Sequence, residues 1–286
     1  MILNNSSDEK IHGDLYILFR VLKELIIYIL LLIPYLFLFL IYLFTGSKKK
    51  SDYFSKIFLE PFKIIKELMD WFFEAKSTVY LIFILIFVFL LQIFILPDFG
   101  NFFATHPNDL FSTKFYSILT SIFFHGSLSH LFSNLFVLLV FGRIVERHIG
   151  SKIYFIFVLG GIIANFVSHL ISIFFSNSFS SWGASGAISA LVILGIFLEP
   201  FAISFFLFPS FIIGWFFVLG DISGLFLDDG INQFAHLGGY LAVMILVYFL
   251  EKKEKVKVRN GFIINILLII LSYFLILNKE FLLNLF

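Results

Sequence analysis

Residues 182–195 read WGASGAISALVILG, a serine at position 185 held among Gly183, Ala184 and Gly186 at the mouth of an apolar run. From Gly186 to Leu198 only Ser189 is polar. A run that is continuously apolar, without the in-out alternation of a barrel strand, reads as a helix in lipid. The Ser185 hydroxyl then lies at the lip of a membrane helix, where a polar group without a partner is costly and marks function.

The rest of the chain agrees with a lipid setting. Its 286 residues are 60% hydrophobic and 20% aromatic, and the mean hydropathy is +1.02. Charged residues make up 14%, about half the share in an ordinary soluble domain. The net charge of +1 argues neither for nor against nucleic acid, and with no Arg-rich or aromatic-interleaved basic patch no nucleic-acid partner is expected. There is no cysteine, so disulfides, thiolate chemistry and Cys-ligated metals are excluded.

Apolar runs suited to a hydrocarbon core of ~30 Å fall at 25–44, 78–96, 130–146, 152–175, 185–199, 201–220, 232–250 and 261–278. The expected architecture is therefore an all-α polytopic membrane protein with a six-helix core and one extra span at each end. Three regions follow: 1–77, a span plus a basic amphipathic segment; 78–250, the core; and 251–286, a basic loop and a further span. Between 46 and 76 lysines alternate with Phe54, Ile57, Phe58, Ile65, Leu68 and Trp71 near helical spacing, as in a helix lying along an interface.

Lys and Arg set the orientation. Seven lie in 46–76, three in 143–152 and five in 251–259, against Lys114 alone on the opposite set of connections. The first three segments are expected in the cytoplasm. His130 and Asn134 then open the third span, Ser185 the fifth and His236 the start of the seventh, all at one level on the far side. His130 and Asn134 are one turn apart and share a helix face. Ala235, Gly239 and Ala242 form a small-residue stripe beside His236 that admits a close neighbour, and the glycines around Ser185 suit that role.

A hydroxyl within reach of an imidazole is the minimum for nucleophilic acyl transfer, because a neutral serine needs a base. Asp221, Asp228 and Asp229 are read as loop residues ahead of the His236 helix, so a Ser185–His236 dyad without an acid is expected. His130 and Asn134 would donate to the oxyanion of the tetrahedral intermediate. His125 and His148 are read as interfacial, and His12, His106 and His169 show no metal spacing. No metal and no cofactor are expected.

These segments resemble the rhomboid intramembrane serine proteases. "HGSLSHLFSN" is similar to their H-x-x-x-N segment at His130 and Asn134, and "FGRIVE" to the glycine and glutamate that follow, at Gly142 and Glu146. "GASG" resembles the nucleophile motif at Ser185, and "AHLGG" the histidine motif at His236. The resemblance covers about 78–250. It implies Ser185 as nucleophile, His236 as base and then acid, His130 and Asn134 as oxyanion donors, and Glu146 as a structural residue tying down a neighbouring loop. It also implies an endopeptidase that cuts transmembrane protein substrates, with the loop 221–231 as a candidate gate. The sequence departs from the family pattern at Ser189, where an aromatic residue is usual, and at Val243, where a glycine is usual. The alternative from another class is an inactive rhomboid-like protein that binds membrane clients; such proteins usually lack the serine or the histidine. The first 24 residues lack a signal peptide's short apolar core, and the simple architecture points to a prokaryotic plasma membrane.

Overall fold

The structure is a computed structural model that describes residues 6–44, 56–57, 59–95, 100–175, 180–203, 208–225 and 232–277. The chain forms two compact units, Met1–Lys76 and Ser77–Phe286.

In the first unit, α1 (Ser6–Phe44) contains the expected span 25–44 and continues toward the N-terminus, and α2 (Glu60–Glu74) follows. Pro61 lies in the first turn of α2, where a missing N–H costs nothing. Arg20 of α1 reaches Glu67 of α2 at 3.1 Å, and the Tyr28 hydroxyl of α1 donates to Ile57 O, ahead of α2, at 2.9 Å. Ile64 is buried, Lys63 and Lys66 are exposed, and so are the apolar Phe62 and Ile65. Of the expected amphipathic segment 46–76, residues 46–55 and 58 lie outside the described residues.

The second unit contains α3 (Lys76–Phe94), α4 (Leu128–Ile149), α5 (Ile153–Phe174), α6 (Ser185–Leu198), α7 (Ser210–Gly224), α8 (Gln233–Leu246) and α9 (Lys252–Leu277). Every apolar run in the sequence falls on a helix, because in lipid a helix satisfies its own backbone. The sixth run is displaced. Expected from 201, its helix begins at Ser210, just after Pro209, which pairs with Ile203 as an isolated bridge. The helix therefore extends to Gly224, and Asp221 is helical rather than in the loop. Asp228 and Asp229 lie outside the described residues.

α6 is the axis of the unit. From Gly186 to Leu198 every residue but Phe197 is buried, enclosed by α4, α5, α8 and α9. Two contacts are close enough to require glycine: a methyl on Gly239 of α8 would run into Gly186 O, and one on Gly261 of α9 into Phe197 O. α9 thus packs directly on the central helix. Asn265 secures it, donating to Ile196 O at 3.0 Å and accepting from Trp215 Nε1 of α7 at 2.8 Å.

Glu146 caps a helix instead of tying down a loop. Its carboxylate accepts the Ser77 and Thr78 N–H groups at 2.7 and 2.8 Å and the Thr78 hydroxyl at 2.7 Å. These are orphan donors at the start of α3, where a negative charge also meets the positive end of the helix dipole. Gly142, one turn earlier on α4, leaves room for Thr78, since a Cβ there would lie 2.8 Å from its methyl.

Candidate active site

Ser185 is the first residue of α6 and is half-buried. At 1.5 Å per residue, 14 residues span about 21 Å, short of a ~30 Å hydrocarbon core. The other end of α6 is charged: Glu199 accepts from Arg147 at 2.9 Å and pairs with His148 Nε2 at 2.5 Å. With that end at one membrane face, Ser185 stands about 10 Å short of the other.

The turn ahead of Ser185 is shaped by Gly183, whose φ of +134° disfavours any residue with a side chain. Its N–H donates to Ser121 O at 2.9 Å. The missing side chain leaves space for the neighbouring helix: a Cβ on Gly183 would lie 2.6 Å from His130 Cε1 and 3.6 Å from Asn134 Nδ2. His130 and Asn134 therefore meet the Ser185 turn. They are positioned by the start of α4, where Ser127 caps the helix by accepting the His130 N–H at 3.1 Å. Asn134 is buried, and its Nδ2 has no hydrogen-bond partner among the described residues.

His236 comes from α8, which is capped by Asn232 accepting the Ala235 N–H at 3.1 Å. Ala235 and Gly239 of α8 pack against Gly186 and Ser189 of α6, so the serine and histidine helices are nearest neighbours. No hydrogen bond joins Ser185 to His236 among the described residues. The imidazole bond goes elsewhere: His236 Nδ1 is 2.8 Å from Asp221 Oδ1. The expectation of no acidic neighbour is overturned, because α7 runs one turn further than the hydropathy pattern suggests. Tyr240, one turn beyond His236, donates its hydroxyl to the other oxygen of Asp221 and lies beside Ser189.

His125 is another correction. Read as interfacial, it is fully buried, with its ring 5.2 Å from that of His130 and neither nitrogen partnered among the described residues. Its backbone is held by the Gln92 side chain, which donates to His125 O at 2.8 Å and accepts its N–H at 3.2 Å. Burial, reinforced by nearby His130, pushes the His125 imidazole down to about 4. His148 is also enclosed, its side chain 5% exposed against Glu199.

The connection 97–129 between the second and third apolar runs has buried structure in its described part, including Leu110, Ile118 and Ile122. Asn165 of α5 joins it to the serine turn, donating to Ile118 O at 2.9 Å and Ser121 Oγ at 3.0 Å while accepting from Ser181 at 2.9 Å. Sequence reasoning passed over this brace. The signal was an amide inside the apolar run 152–175. Among the described residues no group of three or more His, Asp or Glu could hold a metal ion.

The Rhomboid domain family model matches residues 112–253, which contain the four candidate residues His130, Asn134, Ser185 and His236. The chain belongs to the rhomboid family. It is similar to rhomboid-like protein 11, chloroplastic, of Arabidopsis thaliana, 30% identical over 151 residues, 48% of this chain and 53% of that protein. It is also similar to rhomboid-like protein 12, mitochondrial, of the same organism, 31% identical over 150 residues, 45% of this chain and 44% of that protein. The chain spans about half the length of the curated relatives it matches. As a rhomboid-family chain it is a multi-pass membrane protein. The organellar names of these relatives give the expected prokaryotic plasma membrane no support.

Proposed function

We propose that this rhomboid-family chain is an intramembrane serine endopeptidase acting on transmembrane segments of protein substrates, with 78–250 as its catalytic core. Ser185 Oγ attacks the scissile carbonyl carbon as its proton passes to His236 Nε2. The carbonyl oxygen becomes an oxyanion, which receives the Asn134 amide, the His130 ring and the N–H groups freed at the start of α6. His236 returns the proton to the leaving amine, and a water molecule, deprotonated by the same nitrogen, hydrolyses the acyl-serine. The positive-inside pattern supports 46–76, 143–152 and 251–259 on the cytoplasmic side.

The observation that carries the reading is the buried Asn134 Nδ2 beside the Gly183–Ser185 turn, which has no partner among the described residues. A donor left dry and unused in the ground state costs stability and suits charge that exists only in a transition state. The test is purified full-length protein in liposomes with a model transmembrane substrate and a fluorophosphonate probe. Cleavage and labelling that both vanish in Ser185→Ala support the reading. Cleavage at the parent rate by Ser185→Ala overturns it, and client binding without cleavage takes its place.

A further inference from the structure

Two helix faces meet at Asp221. Asp221 and Gly224 lie three residues apart at the end of α7, and Gln233, His236 and Tyr240 fall on one face of α8. The lower contact is tight: a Cβ on Gly224 would lie 2.8 Å from Gln233 Nε2, and Gln233 is buried. That contact brings the Asp221 carboxylate to His236 Nδ1 at 2.8 Å, with both side chains about 15% exposed. Tyr240 holds the second carboxylate oxygen.

We propose that Asp221 is the third member of the site, a positioning residue that acts through His236 and is itself fixed by Tyr240. This rests on the serine protease reading and turns the expected dyad into a triad. An ionised carboxylate only accepts hydrogen bonds, so its two partners must both donate. The Tyr240 hydroxyl is one and His236 Nδ1–H the other. The neutral imidazole is thereby held in the tautomer whose Nε2 has a free lone pair, the form a base for Ser185 requires. When the Ser185 proton arrives at Nε2, the imidazolium is paired with Asp221, which keeps its charge and takes no proton. Among the described residues His130 on α4 also faces the ring, and when both are protonated it repels His236. Asp221 offsets that repulsion.

The assignment predicts a division of labour. The acid comes from α7, which exposes Ile212, Phe216, Leu219 and Ile222 along its length, whereas the serine and histidine come from the tightly packed α6 and α8. The base is therefore correctly set only while the end of α7 is docked on α8.

The test uses the full chain in lipid with kcat and KM measured separately and the histidines labelled with 15N. Asp221→Asn preserves size and removes the obligatory acceptor. It should lower kcat by about 10²- to 10⁴-fold with KM nearly unchanged, and slow fluorophosphonate labelling in step. Tyr240→Phe should lower kcat by about tenfold. In the parent, one imidazole should be an Nδ1–H tautomer whose signal is lost in His236→Ala and changes form in Asp221→Asn. Parent turnover by Asp221→Asn, or a His236 signal indifferent to that substitution, overturns the proposal. If Asp221→Asn fails to fold, the Tyr240→Phe rate and the parent tautomer decide. If the parent neither cleaves nor labels, the protease reading falls, and the tautomer measurement alone judges the hold of Asp221 on His236.

Discussion

Asn134 and Glu146 lie twelve residues apart on α4, in opposite circumstances. The Glu146 carboxylate is met by three donors at 2.7 to 2.8 Å. The Asn134 amide nitrogen, buried to 6% exposure, has no partner among the described residues. One end of the helix has spent its polar capacity on architecture, and the other holds it in reserve. A charged group taken from water needs full compensation, while a neutral donor can remain dry at a cost of about 1–3 kcal/mol. The reserve is found where the Ser185 turn and the His236 helix come together.

The most severe way to break the comparison is to remove the reacting groups. Ser185→Ala and His236→Ala should each abolish turnover in a transmembrane-substrate assay, and the double variant should be no worse, because groups acting as a unit are not additive. Thermal unfolding in detergent should be unchanged for Ser185→Ala and lowered for His236→Ala, which leaves Asp221 without one of its donors.

Asn134→Ala sharpens it. Turnover should fall about 10- to 1000-fold in kcat with little change in KM, yet the variant should be as stable as the parent or more so, because a buried donor without a partner has been removed. Destabilisation by this change would mean that the amide has a structural partner.

Glu146→Ala should do the reverse. Two N–H groups and a hydroxyl lose their acceptor, so stability should drop by about 3 kcal/mol while the rate per folded molecule survives. Comparable losses of rate and stability in both variants would erase the distinction.

The smallest effect concerns His125. An unfolded histidine takes up a proton near ~6.5, whereas the buried ring refuses it until about 4. Its contribution is therefore fully present above ~6.5 and lost as pH falls toward the folded value, by about 1–3 kcal/mol. Unfolding followed from pH 7 to 4.5 should show this slope, and His125→Phe should reduce it.

What the sequence disclosed depends on range. Helix formation in lipid is decided by local hydropathy, so all eight apolar runs land on helices, and the i, i+4 relation of His130 and Asn134 follows from α4 alone. Asp221 was misread because its hydrogen bond to His236 requires knowing how far α7 continues past Leu219 and how it docks on α8, and neither is a local property. His125 was misread for a related reason. Its place just ahead of an expected span reads as interfacial, but Gln92, thirty-three residues away, holds its backbone inside the fold. Ser189 departs from the family pattern, and beside it Tyr240 supplies an aromatic ring from the histidine's own helix.

The contact of Gly239 with Gly186 O has a mechanical consequence. Helices separated by side chains can slide as rotamers exchange, but two backbones in contact have no such slack. Since Ser185 adjoins one of those glycines and His236 lies one turn from the other, their spacing is gauged by the radii of peptide atoms. A thinner or thicker bilayer can tilt this pair only as a single body, so the distance over which a proton would pass is insulated from the lipid that surrounds it.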